Sequence, residues 1–194
     1  MTTALPPVQA SKAFPAALAA PAAVVATDLA KGELCAIRYN YCVCLDGETL
    51  AIPARVYYDR TRLLAATRAD GVEGVISLCL GTRHHDGFVR EHCLRRLLGL
   101  HHAWVAPFVV QLVGEYVVEI VQVIEAALPD LDASAYGRFL RENPRYLATT
   151  ERRVISYWYA YREAGYRERG DEPGSRVIAA FRRMAAEPGA EAAA

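Results

Sequence analysis

All five histidines of this 194-residue sequence, His84, His85, His92, His101 and His102, fall in one short stretch that also holds Asp86. Neutral imidazoles beside a carboxylate suit zinc, iron or manganese. A metal, were one bound, would be held by His84, His85 and Asp86, with Glu115 and Glu119 as further carboxylates. The spacing weighs against that chemistry. It matches neither H-E-x-x-H nor a two-histidine, one-carboxylate pattern, and at 1.5 Å per helical residue the two histidine pairs stand roughly 18 Å apart along the helix between them. Loop and cap positions are the plainer expectation, and no cofactor is expected.

Glu115 and Glu119 lie one helical turn apart, a spacing that suits paired carboxylates in acid–base chemistry or a clamp on a buried cation. Arg90 favours the clamp. It falls inside the apolar arc of a helix expected at 87–98, where a guanidinium must find partners, so an Arg90–Glu119 or Arg90–Glu115 pair is expected. A third constellation runs from Arg138 to Arg183, where eleven arginines meet six acidic residues and alternate with Tyr146, Tyr157, Trp158, Tyr159, Tyr161 and Tyr166. Arginine with aromatics serves protein interfaces and single-stranded nucleic acid alike; Arg152, Arg153 and Tyr157 are the candidate contacts. With no glycine-rich phosphate loop, no G-x-S-x-G elbow and no supported Cys-His pair, no catalytic nucleophile can be named.

The charge balance bounds the classes further. Twenty-two Lys plus Arg against twenty-two Asp plus Glu give a formal net charge of zero, without the basic excess of a dedicated nucleic-acid binder. At 53% hydrophobic and 23% charged residues, the chain can fold without metal or disulfides. The five cysteines, Cys35, Cys42, Cys44, Cys79 and Cys93, are odd in number and lack paired spacing, which reads as reduced thiols, packed as small hydrophobes, in a cytoplasmic protein.

These residues must be positioned by elements that punctuation and periodicity predict. Fifteen of the first thirty residues are Ala or Pro, so residues 1–32 read as a flexible leader. Lys12 before the apolar stretch 13–26 also fits a secretion signal, but Pro15 and Pro21 interrupt it. Residues 33–187 form the expected single globular domain, with a frayed tail at 188–194. Within the domain, Asp46-Gly47 between two alternating runs predicts an antiparallel β-hairpin over 33–58, with Pro53 ending or breaking its second strand. The remainder, 59–187, reads as helical. Asp86 caps the helix at 87–98. Residues 104–128 are the most hydrophobic, yet Gln111, Glu115, Glu119, Gln122 and Glu125 form a polar stripe, and Gly114 either sits inside one helix or divides two. Asp132 or Ser134 caps a short helix ending at Asn143-Pro144. Thr149 or Thr150 opens a longer one, with Val154, Trp158 and Tyr161 inward and Arg152, Ser156, Tyr159 and Glu163 outward. Ser175 opens the last.

Asp86-Gly87-Phe88-Val89-Arg90-Glu91, followed by Leu94, Leu97, a turn at 99–102 and Trp104-Val105-Ala106-Pro107-Phe108-Val109, resembles a HEAT-type helical hairpin. The resemblance covers about residues 86–128 and implies that Arg90, at the family's Val-Arg position, braces a neighbouring unit through acidic residues. Glu119 stands where a second unit would carry its arginine. Fewer than three units cannot bury a solenoid core, so the expected fold is mainly α within the α+β class: a helical layer with one HEAT-like hairpin, preceded by the β-hairpin. Its expected role is binding rather than catalysis, by a helical face, with a protein partner and a homo-oligomer contact through residues 107–128. The alternatives are a metal-dependent enzyme at the histidine and glutamate cluster and a nucleic-acid module in the C-terminal helices. No membrane contact is expected.

Overall fold

A computed structural model describes residues 10–31, 40–161 and 165–187. The expectations for Cys35, Glu163, residues 33–39 of the hairpin, the first nine residues and the tail 188–194 lie outside the described residues. The fold is mainly helical, with one two-stranded antiparallel sheet among the described residues. Contacts group the chain into two compact units, Met1–Leu97 and Leu98–Ala194.

The first unit begins with a correction to the flexible leader. Ala19–Ala30 is a helix, α1, and Ala22, Val25, Ala26 and Leu29 are buried along it. Pro21 does not break it because it occupies the first turn, where backbone N–H groups have no intrahelical partner to lose. The hairpin follows as β1 (Asn40–Leu45) and β2 (Glu48–Pro53), closed by Asp46 and Gly47 at φ 50° and 82°; glycine takes that left-handed backbone without strain. Val43 pairs with Leu50 and Tyr41 with Ile52, so Val43, Leu45, Leu50 and Ile52 share the buried face. Cys42 and Cys44 point the other way, and Cys42 is exposed, so it does not serve as a packed hydrophobe. Helices α2 (Arg60–Ala66), α3 (Val72–Gly81) and α4 (Gly87–Leu97) complete the unit, with α3 packed against α1, α2 and α4. Cys79 and Cys93, on α3 and α4, are fully buried. Burial pushes both thiols up, Cys93 to about 12, so neither ionises readily.

The second unit is built around α5 (Ala106–Val113), every residue of which is buried. Gly114 divides the apolar stretch, and α6 (Val118–Ala127) follows. Three more helices, α7 (Ala133–Glu142), α8 (Pro144–Tyr161) and α9 (Pro173–Ala186), enclose α5 together with α6. The apolar residues of α5 are thus buried against the other helices of its unit. The polar stripe also departs from expectation: Gln111 and Glu115 are buried, and the Gln111 carbonyl accepts from the Tyr146 hydroxyl. Two helix starts differ from the sequence reading as well. The long helix begins at Pro144, pre-set for a first turn, while Thr149 and Thr150 bond back to the carbonyls of Arg145 and Tyr146 inside it. Glu172, not Ser175, caps α9, its carboxylate accepting from the N–H groups of Gly174 and Ser175 at 2.9 and 2.6 Å.

Candidate functional site

The histidine stretch resolves first as backbone chemistry. Residues 54–58 run extended beside the turn that links α3 to α4: the Val56 N–H reaches the Arg83 carbonyl at 2.9 Å, and the His85 N–H reaches the Val56 carbonyl at 3.1 Å. His84, 1% exposed, is locked between them. Its Nδ1 accepts the Asp86 N–H at 3.1 Å, which places the ring proton on Nε2, and Nε2 donates to the Tyr58 carbonyl at 2.9 Å. Both nitrogens are thereby engaged and neither offers a lone pair to a metal. Burial holds the imidazole below its ordinary pKa, outweighing the opposing effect of the Tyr58 hydrogen bond.

Two buried arginines close the same loop. Arg83 donates from Nε to the Pro53 carbonyl at 3.1 Å and from Nη2 to the Ala54 carbonyl at 2.9 Å, while Arg90 donates from Nη1 to the carbonyls of His84 and His85, both at 2.9 Å. Asp86 accepts the Phe88 N–H at 2.9 Å, as a cap of α4 should, and pairs with Arg60 at 3.3 Å. His85 is exposed and stacks on Tyr57. The expected metal set is therefore not assembled: among the described residues no three His, Cys, Asp or Glu side chains converge to hold an ion. Glu115 and Glu119 belong to the second unit, as do His101 and His102, which line a hollow of about 10 Å³, room for about one water.

The arginine and tyrosine constellation does the reverse and faces outward. On α8, Arg145, Arg152, Ser156 and Tyr159 are exposed at helical spacing with Thr149 half-buried among them, so they form one outward line. Beside it, Arg153, Tyr157 and Tyr161 climb the helix at four-residue steps toward the turn after α5. Arg153 lies over Gly114, where a Cβ would meet its Cδ at 3.2 Å. Tyr116, on that turn, meets Tyr157 edge-on at 5.6 Å and stacks on Tyr161 at 5.5 Å, and the Tyr161 hydroxyl donates to the Tyr116 carbonyl. Burial, then the neighbouring Tyr116 and Glu119, raise the Tyr161 phenol to about 12. Trp158 anchors the back of the helix by donating to the Tyr166 carbonyl at 2.9 Å. Tyr116 and Tyr159 nevertheless remain 61% and 64% exposed.

No known protein family, curated protein or solved structure matches this chain. The likeness of residues 86–128 to a HEAT-type hairpin rests on the residues quoted for it alone. Among the described residues no helix is long and apolar enough to cross a membrane. Of the candidates read from sequence, the structure brings His84, His85, Asp86 and Arg90 into one loop, and Arg152, Arg153 and Tyr157 onto one helix. The exposure of Tyr116 was not anticipated, and Tyr159, placed outward by its spacing, was not among the candidate contacts. The available signal was a tyrosine at the outward position of an amphipathic helix and another in a turn, each where burial is not required.

Proposed function

We propose that the chain is a binding protein that engages another protein through the outward face of α8 and the adjoining Tyr116. The observation that carries this reading is the exposure of Tyr116 and Tyr159, with Arg152 on the same outward line as Tyr159 and Tyr116 packed against Tyr157 and Tyr161. Tyrosine and arginine are the residues that concentrate binding energy at protein interfaces, because they bring large contact area and fork-shaped hydrogen bonding at little entropic cost. Tyr157 and Tyr161 hold Tyr116, and Trp158 lies against Tyr159, so both exposed rings are steadied before a partner arrives, which lowers the ordering cost of association. α8 exposes Arg145 and Arg152, and its one acid, Glu151, is neutralised by Arg182, so the favoured partner presents acidic groups.

The test is co-isolation from cells of the source organism after nuclease treatment, comparing the wild type with an Arg152→Glu, Tyr159→Ala double variant. The reading expects one protein in near-stoichiometric amount with the wild type and its loss in the variant, which should fold normally. Association that disappears with nuclease would transfer the face to nucleic acid, whose phosphate contacts the nuclease removes. Equal capture by both proteins would end the proposal.

A further inference from the structure

Away from the tyrosine face, and sharing no residue with it, the second unit holds an open pocket of about 140 Å³ between α8 and α9. Its floor is apolar: Val154 and Ile178 are buried side chains that nonetheless line the space, joined by the half-buried Ile155. Its rim is polar and unequal. On one side Arg182 is paired with Glu151, so these charges cancel. On the other stands Arg169, exposed, on the turn before α9, and the hydroxyl of Ser175 lies nearby in the first turn of that helix. Glu172, the cap of α9, spends its carboxylate on the backbone N–H groups of Gly174 and Ser175, so it does not neutralise the rim.

We propose that this pocket binds a small amphipathic carboxylate, its acid group on Arg169 and Ser175 and its hydrocarbon body on Val154, Ile155 and Ile178. Size sets the class. A cavity of about 150 Å³ takes a benzene ring, whereas drug-sized ligands need roughly 300 Å³ or more, so the body is a six-carbon chain or ring. Charge sets the head group. Once Glu151 and Arg182 cancel, one guanidinium remains, which matches a monoanion, and its planar fork fits a carboxylate at two points. A neutral analogue would gain the floor and lose the rim; a dianion would bring one charge too many.

The experiment is a titration of the full chain, methyl-labelled at isoleucine and valine, with hexanoate and benzoate, and with hexanol and benzyl alcohol as neutral counterparts. Expected are saturable shifts of the Ile155, Ile178 and Val154 methyl signals by the carboxylates, with a dissociation constant on the order of 1 mM or tighter. Arg169→Gln, at an exposed position, should weaken carboxylate binding about tenfold without changing the alcohols; Ser175→Ala should weaken it less. Absence of saturation at tens of millimolar, alcohols that bind as well as the acids, or wild-type affinity in Arg169→Gln would each overturn the assignment.

Discussion

At the loop around His84 the strong donors turn inward. Arg83, Arg90 and the imidazole of His84 all bond backbone carbonyls of the first unit, so groups with the chemistry of a catalytic site serve to hold an extended segment against a turn. On α8 groups of the same kinds line the outward face, where Tyr157 and Tyr161 hold Tyr116 while Arg145, Arg152 and Tyr159 are exposed. Residue type does not separate the two regions; what their hydrogen bonds are already committed to does. A buried polar group needs its partners and loses by being diverted, whereas an exposed and pre-ordered one is free to meet another molecule.

The largest expected effect would break the inward half of this contrast. Arg83→Met keeps the apolar stem but removes the guanidinium donor from the Pro53 carbonyl and leaves the Ala54 carbonyl with Arg55 in place of two arginines, and should cost about 3 kcal/mol of stability in urea unfolding. A loss under about 1 kcal/mol would mean that water replaces the guanidinium and that the loop is not held this way. Gly81→Ala tests the packing beneath it, since a Cβ there would overlap Cys93 Sγ. It should destabilise by about 2 kcal/mol, and Cys93→Ala in the same chain should return part of that; additive losses would contradict the close approach.

The acid response of His84 is a finer test. Because its folded-state pKa lies below the ordinary 6.5, the unfolded chain binds a proton that the folded chain refuses. Stability is therefore full above that pH and declines as pH falls below it, by up to about 1.4 kcal/mol per unit from this residue. Urea midpoints between pH 7.5 and 5 should show the decline in the wild type and a shallower one in His84→Gln. Smallest of all should be the stability change in Tyr159→Ala, within about 0.5 kcal/mol as for surface positions generally. A larger loss would show that this ring, too, is structural, and would erase the contrast.

Much of this fold was legible because the signals are local. Asp46-Gly47 closes the hairpin, Asp86 and Asp132 cap their helices, and the spacing of Arg152, Ser156 and Tyr159 gave the outward line of α8. Pro144 marks the end of α7 as read, and it also opens α8; Pro21 misled, because it sits in the first turn of α1 and interrupts nothing. The histidine loop could not be read at all from spacing, since the partner of His84 is the carbonyl of Tyr58, 26 residues away. The pocket on α8 and α9 was equally invisible, its floor and rim coming from segments that meet only in the folded unit.

The most direct test of the central claim is to place a photo-crosslinking amino acid at Tyr159 and, separately, at Phe88, the most exposed large apolar residue among the described residues of the first unit at 78%, and to irradiate cells of the source organism. A discrete, nuclease-resistant protein adduct from position 159, lost on Arg152→Glu and absent from position 88, is the predicted result. Adducts from position 88 alone, or none from position 159 while the protein remains folded, would contradict it.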